Sequence, residues 1–456
     1  MPSRPRSAHK GPSSLAAGGR RGVRAERDSL ALVLELVRMG RAGTRQEIER
    51  ISGLGRAVVA DRISTLLATG LLLEGELAAS TGGRAPRQVQ FASDAGHVLV
   101  ASLGSTTLGV GLADLSGRLL VEHHEAGDIA VGAERSIGRI EALFDWMLEE
   151  HAGAGDVWGI GLSIPGPVEH ANGRLASKPV LHLPGWQDFP VRERLTGRYG
   201  ARVWIDSEVH LMALGELRAG RGVGSGDLLF VKVGTEISAG LCSSGRVHRG
   251  AHGYAGDIGH ISVMDDSAVI CRCGNTGCLE ALAGGGAIGR EAQVAAHDGR
   301  SEYLAAKAAG GAAITAADVG MGAHRGDPFC IELLSHAGGL IGGTLAAVVN
   351  AYNPSFIVVG GGVAQAGEIL LAAMREALYR RSRSLATQDL HIVRSEMGKT
   401  AGLVGAALAV IDELFLPESV RSWIEQGSPI RRPESIEPTS RAAPLVTPAE
   451  ARVVSA

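Results

Sequence analysis

The pattern of apolar and polar positions begins with a short helical region near the N-terminus. Apolar residues recur at helical spacing over residues 30–37 and the pattern stops at a glycine. A second helix is predicted to begin after Thr44, a suitable N-cap, with Glu47 three residues later completing a capping box. A third helix is predicted over residues 56–68, and the glycines within residues 52–55 favour a tight turn between the two.

Two short strands, residues 71–77 and 87–91, are predicted to follow and to flank a glycine-rich tip. Helix, turn, helix and hairpin in this order indicate a winged helix-turn-helix. The first turns of its third helix would enter the major groove of DNA. The residues predicted to be exposed and to contact bases or phosphates are Arg56, Asp61 and Arg62, with Arg84 and Arg87 from the wing. A small helical domain that binds protein is the alternative.

The charge distribution favours the DNA-binding interpretation. Residues 1–93 carry fifteen Arg and Lys against eight Asp and Glu, whereas the remaining 363 residues carry thirty against forty, so a balance of +7 precedes one of −10. A basic front end on an acidic body is typical of a nucleic-acid-binding module joined to a second function. Only five of the forty-five basic residues are lysine, which we attribute to a GC-rich genome.

From residue 97 the pattern changes to strands that alternate with helices and end in glycine turns, which predicts α/β domains with ligand crevices at the strand ends. The predicted strands are 98–101, 108–113, 118–121, 157–164, 203–205, 228–233 and 356–359, and the predicted helices are 135–151, 208–218 and 331–350. The weakly charged stretch 337–363 is interrupted by Asn350 and Asn353-Pro354, which favours a buried helix and strand over a membrane span.

These patterns predict four regions. Residues 1–26 are expected to form a disordered basic arm, 27–93 the winged helix-turn-helix domain, 94–415 a two-lobed α/β domain, and 416–456 a disordered tail with at most a short turn near residues 420–424. We expect a cytoplasmic protein without a signal peptide or membrane association.

Three of the five cysteines fall within eight residues, with a histidine shortly upstream. The set is His260, Cys271, Cys273 and Cys278. Three thiolates and one imidazole form the closed ligand set typical of structural zinc, and Gly274 and Gly277 can supply the unusual backbone angles that so tight a loop needs. A chance cluster of reduced cysteines is the alternative. Disulfides are disfavoured, because the other two cysteines stand alone.

Together these features resemble the ROK family of repressors, open reading frames and sugar kinases over about residues 27–415. The matching motifs are the wing segment Ser80–Arg84, Pro165-Gly-Pro167, Pro184-Gly-Trp186, Gly234-Thr235, Ala255-Gly-Asp257-Ile-Gly-His260, the cysteine segment Cys271–Glu280 and Gly360-Gly361-Gly362. The resemblance implies two actin-like or hexokinase-like ATPase-fold lobes that close on a sugar, in a homodimer or homotetramer. The winged helix implies one of the family's transcription factors, most similar to arginine-rich actinomycete regulators, because the family's kinases lack it.

The same resemblance marks the kinase motifs as altered. Ser102 stands where the first phosphate loop of the family has Asp, and Glu208 where the catalytic segment has the Asp that accepts the hydroxyl proton. Glu236 and Ser238 replace two glycines of the second phosphate loop. A longer carboxylate misplaces the base, and a negative side chain repels a polyphosphate, so we expect no kinase activity.

The sugar site is better retained. The positions that hold sugar hydroxyls in the family correspond to Ser207, Glu208, Asp257, His260 and Glu280. We therefore expect a transcriptional regulator, a repressor of carbohydrate-related genes, that binds an operator in double-stranded DNA and a carbohydrate effector. The alternatives are an ATP-dependent sugar kinase with an accessory DNA-binding domain, and a regulator controlled by a protein partner.

Overall fold

The computed structural model describes residues 15–77, 87–151, 156–166, 168–169, 174–175, 185–187, 189–265 and 267–430. Its contacts divide the chain into two compact units. We call the first the N-terminal unit, which comprises the chain up to Gly96 together with a segment that starts at Asp412. The second, His97–Ile411, is the central unit.

The N-terminal unit begins with three helices and a two-stranded antiparallel sheet. The elements are α1 (Leu15–Arg38), α2 (Arg45–Ser52), α3 (Arg56–Ala68), β1 (Leu72–Leu77) and β2 (Arg87–Phe91). The predicted capping box is present, since Thr44 accepts from the Glu47 amide and Glu47 accepts from the Thr44 amide. Gly53 ends α2 with a φ of 69°, a left-handed angle that glycine adopts at little cost. The turn between α2 and α3 therefore lies where it was predicted.

Helix α1 is longer than the apolar pattern indicated. It starts at Leu15 and spans 24 residues, so its first half occupies part of the segment predicted to be disordered. Once the C-terminal half of α1 is packed, each further residue adds one backbone hydrogen bond, and the helix can extend beyond its apolar positions. Residues 1–14 and residues 78–86, which were predicted to form the tip of a wing, lie outside the described residues.

The first half of the central unit is a five-stranded sheet of order β5-β4-β3-β6-β9. Its elements are β3 (His97–Leu103), β4 (Thr107–Asp114), β5 (Leu119–Ala126), α4 (Ala133–Glu150), β6 (Val157–Ile164), a small hairpin of β7 (Val168–Glu169) and β8 (Arg174–Leu175), α5 (Val191–Tyr199) and β9 (Arg202–Ser207). The first three strands are antiparallel, and β6 and β9 add in parallel. Helices α4 and α5 and the sheet enclose one apolar core.

The second half repeats this plan with strand order β12-β11-β10-β13-β14. Its elements are α6 (Glu208–Ala219), β10 (Leu228–Val233), β11 (Ile237–Ser243), β12 (Arg246–His248), α7 (Leu279–Ala283), α8 (Gly285–His297), α9 (Glu302–Ala308), α10 (Ala316–His324), α11 (Pro328–Tyr352), β13 (Phe356–Gly360), α12 (Glu368–Arg381), α13 (Ser384–Thr387), β14 (His391–Arg394) and α14 (Thr400–Leu414). Again three antiparallel strands precede two parallel ones. The two halves are the predicted pair of α/β lobes.

Helix α11 is the one described helix that is long and apolar enough to span a membrane by length and composition. Within the central unit it packs closely on α12, because Gly338 and Gly342 leave no room for a side chain against the α12 backbone. Leu345 and Val349 are fully buried on the same helix. This packing is that of a core helix, as the sequence predicted.

The end of the described chain belongs to the N-terminal unit, which corrects part of the predicted disordered tail. Helix α15 (Pro417–Trp423) continues into a 3-10 helix, Ile424–Gln426. Trp423 is 1% exposed and meets Phe415 edge to face, with ring centres 5.5 Å apart. Arg27 of α1 donates to both carboxylate oxygens of Glu425, at 2.8 and 2.7 Å. The few apolar residues of this segment find their partners at the opposite end of the sequence, where a local pattern cannot reveal them.

Candidate effector cleft and metal site

A compact cluster of four potential metal ligands lies in the central unit. One side-chain atom from each of His260, Cys271, Cys273 and Cys278 falls within 4.8 Å of all the others. The 3-10 helix Ile258–His260 positions the histidine. The loop before α7 carries the thiols, and Cys278 is the N-cap of α7. Gly274 and Gly277 have φ angles of 92° and 67°, as the tight loop was predicted to require.

The spacing within the cluster fits tetrahedral zinc. The Nδ1 atom of His260 lies 3.4 Å from the Cys271 sulfur, and the sulfurs of Cys273 and Cys278 are 3.7 Å apart. Ligands about 2.3 Å from one tetrahedral ion stand roughly 3.7 Å apart, well beyond the 2.05 Å of a disulfide. All five cysteines are free. The cluster is therefore suited to hold one metal ion through Nδ1 and three sulfurs.

A cleft lies beside this cluster and brings the predicted sugar-site residues together. Its lining includes Ser207, Glu208, Asp257, His260 and Glu280. The first two stand where β9 ends and α6 begins. His260 belongs to the metal cluster, and Asp257 and Glu280 flank the cluster in the sequence. The empty volume of this open cleft is about 640 Å³. With Nδ1 facing Cys271, the Nε2 atom of His260 lies on the other side of the ring, 4.0 Å from an Asp257 oxygen.

Lys232 of β10 also lines the cleft and forms an ion pair with Glu208. Both side chains are 11% exposed. Burial on its own would lower the pKa of Lys232, but the carboxylates of Glu208 and Glu236 outweigh it and raise that pKa. The ammonium group is therefore held charged, whereas burial outweighs the nearby ammonium group at Glu208 and raises the pKa of that carboxyl. The pair lines the cleft at the start of α6.

A second polar network joins three loops beside the cleft. Ser105, between β3 and β4, donates to Glu236 Oε1 at 3.0 Å. Arg272 Nη1 donates to the same oxygen at 2.8 Å, and its Nε lies 2.9 Å from Glu280 Oε1. Burial disfavours the charged form of Glu236, but Lys232 and Arg272 outweigh it and lower its pKa. Glu236 is thus an ionised carboxylate bonded from both sides.

A buried network stands behind the cleft and supports the loop that carries Asp257. Asp206 accepts from Arg249 Nε at 2.7 Å and lies 3.1 Å from His210 Nδ1. The other ring nitrogen of His210 is 3.1 Å from the Ala255 carbonyl oxygen. His210 is 1% exposed, and its side chain ties α6 to the loop before Asp257.

The model of the ROK family matches residues 99–413, which contain both sheets, the cleft and the metal cluster. The chain is a member of the ROK family. The match leaves the three helices and the hairpin before residue 99 outside the shared domain.

Relatives of two kinds are found among ROK proteins. The chain is 28% identical over 395 residues to the xylose repressor of Caldicellulosiruptor bescii, an alignment that covers 85% of this chain and 96% of the repressor. It is 26% identical over 365 residues to the DNA-binding transcriptional dual regulator NagC of Escherichia coli K12, covering 80% and 88%. A glucokinase of Halalkalibacterium halodurans is 31% identical over 270 residues, covering 59% of this chain and 81% of the enzyme.

Solved ROK structures show the same division. A ROK family transcriptional regulator, described as a homologue of the E. coli MLC protein, matches 88% of this chain and 100% of its own, with a TM-score of 0.74 and 23% identity. A glucokinase of Streptomyces griseus in complex with glucose and AMPPNP matches 69% of this chain and 99% of its own, with a TM-score of 0.60 and 27% identity. The fold is therefore that of the ROK regulators and kinases.

Of the five residues predicted to contact DNA, three are exposed, one is largely buried and one lies outside the described residues. Arg56 and Asp61 are exposed on α3. Arg87 is also exposed, on β2, where it pairs with Glu74 of β1. Arg84 lies outside the described residues.

Arg62 differs from the prediction that it is exposed, since its side chain is only 14% exposed. Its Nε donates to Ser29 Oγ at 2.8 Å, and its Nη1 lies 3.1 Å from Glu26 Oε1. Both partners belong to α1. The guanidinium therefore holds α3 against α1 within the N-terminal unit, a contact between segments more than thirty positions apart that helical periodicity did not reveal.

Sequence reasoning missed Lys232 and Arg272, which line the cleft, and Ser105, which donates a hydrogen bond to the lining residue Glu236. For Lys232 a signal exists, because it is the one charged residue in the apolar strand β10 and a charge in a buried strand needs a partner. For Arg272 the signal is its position between the candidate metal ligands Cys271 and Cys273. A metal ion that orders this loop would also fix where the arginine side chain begins. Ser105 carried no such signal, since its partner Glu236 is 131 positions away.

Proposed function

We propose that the protein is a DNA-binding transcriptional regulator, a repressor of carbohydrate-related genes, whose central unit binds a saccharide effector. The observation that carries this proposal is the extent of the similarities. The two transcriptional regulators match 80–85% of the chain, whereas the match to the Halalkalibacterium halodurans glucokinase covers 59% of it. A kinase needs the central unit alone, so the additional N-terminal unit favours regulation over catalysis.

The geometry of the N-terminal unit supports a winged helix-turn-helix function. The capped α2, the left-handed turn at Gly53 and α3 occur in the order expected of that module, and β1 and β2 form the base of a wing. Arg56, Ala57 and Val58 are exposed in the first turn of α3. That turn would supply base contacts, Arg56 through its guanidinium and Val58 through apolar contact with thymine methyl groups.

The cleft supports a receptor rather than a kinase. The glutamate at the position of the catalytic base, Glu208, is paired with Lys232 and is therefore poorly placed to accept a hydroxyl proton. Glu236 places a negative charge in the turn that would cradle phosphates, and Ser102 offers a hydroxyl where the first phosphate loop carries a carboxylate. These replacements leave the sugar-facing side of the cleft, with Asp257 and Glu280, in place.

Zinc held by His260, Cys271, Cys273 and Cys278 would have a structural role in this receptor. It would fix the imidazole ring and the loop before α7, and thereby the positions of Asp257 and Glu280 at the cleft. Domain closure on the saccharide would change the spacing of DNA-binding units in a homodimer or homotetramer. Effector and operator affinities are then coupled by the same factor in both directions. The protein would act in the cytoplasm, where the DNA is.

Gel-shift titration with the DNA upstream of the gene and of its neighbours tests this proposal. We expect salt-sensitive binding that a saccharide modulates. Arg56→Ala should weaken binding about tenfold, the cost of one lost base contact. Arg380→Ala, an exposed arginine on α12 of the central unit, is the matched control and should bind like the parent. Absence of salt-sensitive binding to any upstream fragment would contradict the proposal.

The similarity to glucokinases motivates a second assay of the same protein. ADP release coupled to a hexose panel should remain at background in the presence of ATP and Mg²⁺. Sugar-dependent ADP release by the pure protein would instead establish the kinase alternative with an accessory DNA-binding unit. Control by a protein partner would be indicated by operator binding that no saccharide changes.

A further inference from the structure

We propose that Glu236, clamped between Ser105 and Arg272, occupies the place of an incoming phosphate and restricts the effector to an uncharged saccharide. This inference rests on the proposed function, which assigns the cleft to a saccharide but leaves its chemical class open. It concerns the selectivity of the cleft between a neutral sugar and its phosphate ester, and the cleft residues that enforce that selectivity.

The position of Glu236 is determined by two turns. Its carbonyl oxygen accepts from the Gly234 amide at 2.9 Å, which closes the turn between β10 and β11. Its side chain, 14% exposed, reaches Ser105 in the turn between β3 and β4 of the other sheet. The carboxylate therefore lies between the two turns that correspond to phosphate loops, and any phosphoryl group there must displace it.

Arg272 does not offer a free cation to such a group. Its Nη1 is bonded to Glu236 at 2.8 Å, while Nε and Nη2 lie 2.9 and 3.3 Å from the two oxygens of Glu280. The guanidinium thus spans two carboxylates. An anionic ligand would have to break one of these pairs and leave a carboxylate without its partner, at a penalty that a neutral ligand avoids.

Lys232 is likewise not free to bind a phosphoryl group, because its ammonium group is bonded to Glu208. Among the lining residues, the four carboxylates outnumber the two permanent cations. The carboxylates are Glu208, Glu236, Asp257 and Glu280, and the cations are Lys232 and Arg272. The ionised carboxylate of Glu236 repels a phosphate ester in this partly buried site, and neither cation is left without a carboxylate partner to offset that repulsion.

A neutral saccharide can bind in the cleft without breaking the ion pairs of Arg272 and Lys232. Its hydroxyl groups can donate to Asp257 and Glu280 and need no counterion. It can also accept from His260 Nε2, which faces away from the thiols. Hydroxyl groups that exchange hydrogen bonds with carboxylates lose little on leaving water, whereas a phosphate dianion would lose its hydration without gaining a free cation.

Isothermal titration calorimetry of the full-length, zinc-loaded protein tests this selectivity with matched pairs. The probes are glucose, mannose and N-acetylglucosamine, each against its own 6-phosphate. We expect at least one neutral sugar to bind at least tenfold more tightly than its phosphate ester. Glu236→Gln keeps the size of the side chain and removes its charge, so this ratio should fall at least fivefold. Glu376→Gln, an exposed glutamate on α12, should leave the ratio unchanged.

A thermal melt first establishes that each variant is folded. If Glu236→Gln does not fold, Ser105→Ala removes one of the two bonds that hold Glu236 and should lower the same ratio by a smaller factor.

Equal or tighter binding of a 6-phosphate by the parent would overturn this inference and leave the saccharide receptor intact. An unchanged ratio in folded Glu236→Gln would overturn it as well. Failure of all six probes to bind would overturn it together with the saccharide part of the proposed function, whereas operator binding is tested separately by gel shift.

Discussion

The metal cluster and the charged network of the cleft are neighbours, yet they are built in different ways. The cluster takes its four candidate ligands from two nearby loops, within nineteen consecutive residues from His260 to Cys278. The network joins Ser105, Glu236 and Arg272, with the Lys232–Glu208 ion pair beside it, and these residues come from both halves of the central unit and from the metal loop. A site closed within one stretch of chain depends on local spacing, whereas the network depends on how the two halves of the central unit meet.

Loss of the metal site should have the largest effect on stability. Cys273→Ser removes one ligand, and structural zinc contributes roughly 10 kcal/mol to folding in small domains. We expect a loss of several kcal/mol, measured by chemical denaturation, together with loss of the metal measured by elemental analysis. Cys242→Ser, a buried cysteine outside the cluster, is the control for metal content. A parent protein without bound metal, or a variant of equal stability, would contradict the zinc assignment.

Breaking the ion pair between Lys232 and Glu208 should cause the second largest loss of stability. Lys232→Met leaves Glu208 buried without its partner, which costs about 3–5 kcal/mol of unfolding free energy. Lys232→Met combined with Glu208→Leu removes both charges and should recover most of that loss. Urea titration of the parent and both variants measures the difference. Equal destabilisation by the single and double variants would show that packing, rather than the charge pair, is responsible.

The same contrast between local and distant partners can be tested on α3. Arg62→Ala removes the bonds to Ser29 and Glu26 and should lower the unfolding free energy by about 1–3 kcal/mol. Arg56→Ala, at an exposed position, should change it by less than about 0.5 kcal/mol. For operator affinity we expect the opposite order, with Arg56→Ala weakening binding more than Arg62→Ala once each affinity is corrected for the fraction of unfolded protein. Similar melting temperatures for the two variants would refute a structural role for Arg62.

The smallest effect on stability is expected at a solvent-accessible ion pair between Glu125 of β5 and Arg139 of α4. Hydrogen bonds from Arg139 to Glu125, measuring 2.8 and 2.7 Å, lower the pKa of Glu125 to about 2. Because the folded-state pKa is depressed, the contribution is fully present above the ordinary pKa of 4.5 and is lost as the pH falls towards 2. Arg139→Ala should therefore lower stability at pH 7 by less than about 1 kcal/mol. Denaturation at several pH values should show the difference shrinking below pH 4.5, and a constant difference would contradict this coupling.

The sequence predicted much of the central unit because its strands are short apolar runs bounded by turn residues. Strands β6 and β10 and helix α3 have the bounds that the pattern indicated. The metal ligands and the five predicted sugar-site residues also lie together, although their role remains a prediction. The local sequence pattern did not identify the ion-pair or hydrogen-bond partner of each charged side chain. Lys232, Arg272 and Arg62 are explained only by side chains from other elements.

The two terminal segments were the other place where local reasoning failed. Few apolar residues mark residues 15–26 or 417–426, and both segments were predicted to be disordered. In the structure α1 extends back to Leu15, and α15 packs on α1. The pairs Arg27–Glu425 and Arg421–Asp28 join positions almost four hundred residues apart, a separation at which periodicity carries no information.

The placement of Pro417–Trp423 has a consequence for biosynthesis. A ribosome releases the first ninety residues long before it reaches Trp423, whose ring is almost wholly buried in the N-terminal unit. Nascent α1 must therefore wait, with part of its apolar surface uncovered, until the whole intervening domain has been translated. Completion of the N-terminal unit is thereby deferred until residue 423 has been made, and a chain terminated before that residue would lack the contact of Trp423 with Phe415.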